Sequence, residues 1–98
     1  MEAGSTRQDS PSDPEQRTQE LLAQQQEEQK LIRRLQMMMN MVMQVIAQDR
    51  TLTVDDASQM IADSKKAALA MFPGKELAYD LIWKPRFQRL MRERFRMN

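Results

Sequence analysis

The segment Leu31–Ala47, LIRRLQMMMNMVMQVIA, limits most strongly how this chain can fold, because twelve of its seventeen residues are apolar. Wound as an α-helix, at about 100° per residue, the segment carries one narrow polar row. That row consists of Arg33, Gln36, Asn40 and Gln44. The rest of the surface between Met37 and Ile46 is apolar almost all the way round. Other helices, from the same chain or from a partner, must therefore enclose it.

Start signals predict where the first two helices begin. Pro14 suits the first turn of a helix, and good helix formers follow it as far as residue 48, which predicts one long helix over residues 14–48. Thr53 and Asp56 have the spacing of a capping box. They predict a second, amphipathic helix over residues 53–72.

Two prolines divide the rest of the chain. The sequence Phe72-Pro73-Gly74-Lys75 is typical of a type II turn and predicts a short third helix over residues 75–83. Pro85 disfavours helical backbone at Lys84, which predicts a break there and a basic last helix over residues 85–97. In this interpretation the short third helix turns its aliphatic side chains toward the core, namely Leu77, Ala78, Leu81 and Ile82.

Together these signals predict an all-α fold. A disordered acidic head over residues 1–13 precedes a single helical domain over residues 14–98. In that domain, two or three shorter amphipathic helices fold on the apolar half of the long N-terminal helix. A small domain of this kind is marginally stable alone, which favours association with further copies.

Composition argues against an enzyme. The chain has no histidine and no cysteine, which removes the commonest general base, the thiolate nucleophile and the usual ligands of zinc. Its two glycines, Gly4 and Gly74, are too far apart for a phosphate-binding loop. We therefore expect no catalytic residues, no cofactor, no metal site and no small-molecule substrate.

The methionine-rich stretch of the long helix is the predicted interaction site. Methionine packs adaptably, so the apolar positions at three- and four-residue spacing are expected to form a partner or oligomer interface. The predicted interface residues are Leu35, Met38, Met39, Val42, Met43 and Ile46. The expected partner is a second copy of the chain, in a homodimer or higher oligomer. Ordinary core packing and a thioether site for Cu(I), with Met39 and Met43 as ligands, are the alternatives.

Charge is distributed unevenly although the formal net charge is only +1. Residues 1–29 carry seven acids and two bases, whereas residues 84–98 carry six bases and one acid. The basic last helix could contact an anionic partner, which would be a protein or the chain's own acidic head, nucleic acid, or a membrane surface. The candidate contacts are Arg86, Arg89, Arg92 and Arg96. A solvated basic face explains the same residues without any ligand.

Membrane association is not expected. Residues 1–16 contain no apolar stretch of a secretory signal, and the strongly apolar part of the long helix is about half as long as a bilayer span. We therefore expect a cytoplasmic protein. The preferred function is a small non-enzymatic oligomerisation or adaptor protein with a helical-bundle or coiled-coil type of packing, and the alternative is a nucleic-acid-associated regulator.

Overall fold

The computed structural model describes residues 13–96, which contain three α-helices and no strand. These are α1 (Pro14–Gln48), α2 (Val54–Met71) and α3 (Glu76–Phe95). The prediction of an all-α fold, with a long first helix followed by shorter ones, is confirmed. The predicted disordered head lies outside the described residues, apart from Asp13.

Side-chain caps fix the starts of the first two helices. The Asp13 carboxylate accepts a hydrogen bond from the Glu15 backbone N–H at 3.1 Å, as an N-cap does. At the start of α2, the Thr53 hydroxyl accepts from the Asp56 N–H at 3.0 Å, and the Asp56 carboxylate accepts from the Thr53 N–H at 3.2 Å. This reciprocal pair is the predicted capping box, with aspartate in the place of the more usual glutamate.

Local hydrogen bonds shape the two connections. After α1, the Asp49 carboxylate accepts from the Thr51 hydroxyl at 2.6 Å and from the Thr51 N–H at 3.0 Å. These bonds hold the pKa of Asp49 below its ordinary value. After α2, the Lys75 N–H donates to the Phe72 carbonyl at 3.3 Å, and Gly74 has a φ of 78°. That positive φ at the third position is what a type II turn requires, so the turn prediction is confirmed.

The predicted break at Lys84 is wrong, because α3 continues through Pro85. A proline has no N–H to donate to the carbonyl four residues earlier, which belongs to Leu81. Both Leu81 and Pro85 lie on the exposed side of α3, so water can bond that carbonyl. On the opposite side, Tyr79 and Trp83 before the proline are buried together with Phe87 after it. Packing of this continuous row offsets the cost of the proline.

By its internal contacts the chain divides into two units, Met1–Ile32 and Arg33–Asn98. The single domain over residues 14–98 stays a prediction. In the first unit the structure describes residues 13–32, and every residue from 13 to 30 is exposed. Its apolar side chains are too few to build a core of their own. The most prominent, Leu21 and Leu22, are 59% and 53% exposed.

The second unit contains the hydrophobic core. Side chains from all three helices form it: Met39, Ile46, Ala57, Ala68, Tyr79, Trp83, Phe87 and Met91. The small residues of α2 let its backbone approach that of α3, with Cα atoms of the two helices within 8 Å of each other. Ser64 is buried among them and donates to the Ile61 carbonyl at 2.8 Å. A serine hydroxyl whose proton is donated within its own helix can occupy such a buried position.

Candidate protein-interaction surface

The outward side of α3 carries large apolar side chains that no described residue covers. Leu77, Leu81 and Ile82 are 71%, 69% and 54% exposed. The prediction that they face the core is wrong, and the continuity of α3 gives the reason. Because the helix does not break at Pro85, the buried row of its second half extends back in four-residue steps to aromatic side chains. The aliphatic side chains of the first half are thereby turned outward.

We call the outward residues Leu77, Ala78, Leu81, Ile82 and Pro85 the apolar face. All five are exposed, and the steps from Leu77 to Leu81 to Pro85 follow one line along the helix. Single exposed apolar residues are common on protein surfaces, whereas a large contiguous group is a candidate interaction site. The apolar face is a contiguous group of exposed apolar residues on the surface of α3.

The predicted interface on α1 is placed largely within the chain's own core. Met39 and Ile46 are completely buried, and the remaining four residues pack half-buried against the core. Those four are Leu35, Met38, Val42 and Met43. Met37 and Met41 of the same segment are 69% and 63% exposed, so one chain alone does not enclose residues 37–46 on all sides. The expectation that a partner covers the rest of this segment stays a prediction.

The predicted polar row of α1 is exposed along its whole length, in agreement with the sequence. The four candidate arginines for an anionic partner are exposed as well: Arg86, Arg89, Arg92 and Arg96. The Arg86 guanidinium lies 4.9 Å from the centre of the Trp83 ring, a cation–π contact. Within residues 13–96 none of the four arginines forms an ion pair.

A groove of about 580 Å³ lies between α2 and α3. Its apolar lining consists of Ile61, Tyr79, Phe87 and Met91. Its charged lining is entirely cationic and consists of Lys65, Lys84 and Arg92, with Ser58 and Gln88 completing the walls. We call this the cationic groove. An apolar floor with positive charges beside it is suited to a ligand that presents apolar and acidic groups together.

A small polar cluster borders the cationic groove. The Lys65 ammonium lies 3.7 Å from the Asp80 carboxylate and 5.3 Å from the centre of the Tyr79 ring. Burial raises the pKa of the Tyr79 phenol, the nearby Ser64 hydroxyl opposes this increase, and the Asp80 charge adds to it. The phenol therefore stays protonated at neutral pH and serves packing. Among the described residues, no three His, Cys, Asp or Glu side chains are grouped so that they could hold a metal ion.

No protein-family model, no curated protein and no solved structure matches this chain. Within residues 13–96, none of the helices has the length and apolar character needed to cross a membrane. The candidate interaction features of the described residues are the apolar face, the cationic groove and the four exposed arginines.

Sequence reasoning missed the cationic groove and placed the apolar face on the wrong side of its helix. The signal for the orientation of α3 was present in the spacing of four aromatic and methionine residues, Tyr79, Trp83, Phe87 and Met91. These residues recur every four positions across Pro85, as one side of an unbroken helix does. Giving this row more weight than the proline would have placed Leu77 and Leu81 outside.

Proposed function

We propose that this chain is a small non-enzymatic helical protein that acts by protein–protein contact and associates with a second copy of itself. The observation that carries the proposal is the apolar face, where Leu77, Leu81 and Ile82 each expose more than half of their side-chain surface. Removing apolar surface from water contributes about 25 cal/mol per Å². Covering this face therefore favours association.

A second copy is the partner because the apolar face can pair with itself. Two antiparallel α3 helices related by a two-fold axis near Leu81 would bring Leu77 of one copy to Pro85 of the other. The same patch then serves both subunits, as in the symmetric dimers that dominate among soluble oligomers. The docking surface proposed from the structure is therefore α3, while the packing residues of α1 belong to the subunit core.

Sedimentation equilibrium of matched variants tests this proposal. Leu77→Gln/Leu81→Gln removes apolar surface from α3 and is expected to weaken self-association by about tenfold or more. Met37→Gln/Met41→Gln removes a similar amount of exposed apolar surface from α1 and is the control. Its dissociation constant is expected to match that of the wild type. Equal effects of the two variants, or no effect of the first, would refute the apolar face as the contact.

Nucleic-acid binding is the second candidate function, favoured by four exposed arginines that form no ion pair within residues 13–96. Arg86, Arg89, Arg92 and Arg96 are exposed, and none of them is neutralised within the described part of the chain. Phosphate contacts would make binding fall steeply as salt is raised. Fluorescence anisotropy with a labelled RNA or DNA oligonucleotide, at low and moderate salt, measures this. If these arginines contact phosphate groups, the oligonucleotide no longer binds when Arg89, Arg92 and Arg96 are changed to alanine.

A further inference from the structure

The cationic groove has an electrostatic preference that residues 13–96 do not satisfy. All three charged residues that line it are positive. Lys65 is paired with Asp80, whereas Lys84 and Arg92 form no ion pair within residues 13–96. Together with the floor of Ile61, Phe87 and Met91, these charges suit a helix that carries leucines and carboxylates side by side.

Residues 13–32 of this same chain supply such a helix. They carry five acids and two bases, a net charge of −3. We call this part of α1 the acidic segment. Leu21 and Leu22 lie at its centre and are more than half exposed, with Glu20 beside them in the sequence. A helix with exposed leucines and no packing of its own gains stability from tertiary or quaternary contact.

We propose that the acidic segment of one copy binds in the cationic groove of a second copy, by a helix-in-groove contact. The inference rests on the proposed function, because it assigns the segment that the second copy contributes. Three- and four-residue steps lead along α3 from Leu81 to Lys84, Gln88 and Arg92, so the apolar face continues into the groove. In a two-fold dimer the contact occurs twice, and each copy both supplies a segment and receives one.

Charge reversal at the groove is the first part of the test. Lys84→Glu/Arg92→Glu reverses two exposed charges that line the groove, and we expect it to raise the dissociation constant of the full-length dimer by about tenfold or more at low salt. Arg33→Glu/Lys66→Glu changes the net charge by the same amount at two exposed positions outside the groove, and we expect no comparable effect. Circular dichroism of both variants establishes that their helices are intact.

A charge exchange between copies is the second part. Glu20→Lys/Glu28→Lys reverses the acidic segment, and we expect it to weaken self-association as the groove variant does. Mixed in equal amounts, the segment variant and the groove variant are expected to form a heterodimer, because opposite charges again meet at both contacts. Sedimentation of the mixture, with one chain fluorescently labelled, measures this recovery. The segment variant mixed with Arg33→Glu/Lys66→Glu controls for attraction between net charges.

The outcomes separate this inference from the proposed function. A dimer weakened by Leu77→Gln/Leu81→Gln but unaffected by Lys84→Glu/Arg92→Glu would overturn the groove contact and leave the proposed function standing. Equal weakening by the groove variant and its control would also overturn it, since net charge alone would then explain the effect. A monomeric wild-type protein would overturn both. Loss with each charge variant alone and recovery in their mixture would support the groove contact.

Discussion

The Arg94 guanidinium donates a hydrogen bond to the backbone carbonyl of Asp49 at 2.9 Å, across 45 residues of sequence. Asp49 directly follows α1, where carbonyl groups have no partner within the helix. Arg94 is half-buried in the last turn of α3 and lies 4.7 Å from the centre of the Phe95 ring. One cationic side chain thus links the end of α1 to the end of α3.

Removing this link is expected to destabilise the folded unit. Arg94→Met keeps much of the aliphatic side chain but cannot donate to the Asp49 carbonyl, so we expect it to lower the free energy of unfolding by about 1–3 kcal/mol. Arg89→Met, at an exposed position of the same helix, should change it by less than about 0.5 kcal/mol. Urea unfolding followed by circular dichroism measures both. Equal values for the two variants would show that the Arg94 hydrogen bond contributes nothing.

Pro85 offers a test of the continuous α3 helix. Pro85→Ala restores an N–H that can donate to the Leu81 carbonyl, and we expect it to raise the free energy of unfolding by about 1–3 kcal/mol. Gln88→Ala, one turn later on the same exposed side, controls for helix propensity. It should raise the free energy of unfolding by less than about 0.5 kcal/mol. If Pro85→Ala destabilises the protein, the helix is interrupted at Lys84, as the sequence predicted.

Ser64 tests how closely α2 and α3 approach. Its side chain is 4% exposed, and Ala57 and Ala68 on the same helix are buried beside the same core. Ser64→Leu is expected to overpack this contact and to cost about 1–3 kcal/mol of stability. Ser64→Ala fits the same space and should be nearly neutral. Thermal unfolding compares them, and a neutral Ser64→Leu would mean that the two helices are further apart than described.

Tyr79 provides a spectroscopic test of burial at the cationic groove. It is the one tyrosine of the sequence, so ultraviolet absorbance during alkaline titration reports on it alone. Burial raises its pKa above the ordinary value of 10.0, and the folded protein should therefore titrate at higher pH than the protein in denaturant. A titration at the denatured value would show that the Tyr79 ring is solvated.

The raised pKa of Tyr79 implies that the free energy of unfolding depends on pH. Because the folded pKa lies above the unfolded one, the contribution of Tyr79 is complete below pH 10 and is lost as the pH rises through the folded value. Tyr79→Phe has no titrating group and should show less of this alkaline loss. Urea unfolding at neutral and alkaline pH compares the two proteins.

Much of the fold could be predicted from local signals. The cap at Thr53, the turn at Gly74 and the length of α1 follow from residues next to one another in sequence, and all three are confirmed. Leu77 was placed wrongly because a local rule at Pro85 was given priority over a periodicity that spans the whole of α3. Tertiary packing favours the unbroken helix. The pair Lys84-Pro85 alone contains no information about that packing.

The site was harder to predict for a related reason. Hydrophobic spacing shows that Met39 and Ile46 are buried, but it does not show whether the same chain or a second copy covers them. The hydrogen bond from Arg94 to Asp49 likewise joins residues that the sequence keeps far apart. The cationic groove needs α2 and α3 side by side before Lys65 and Arg92 can be seen to share a surface.

The most direct test of the central claim is the mass of the wild-type protein in solution, by light scattering after size exclusion across a range of concentrations. One chain has a mass of 11.5 kDa. Self-association through α3 predicts a mass of at least twice that value, falling toward 11.5 kDa on dilution. A mass of 11.5 kDa at every concentration would contradict it.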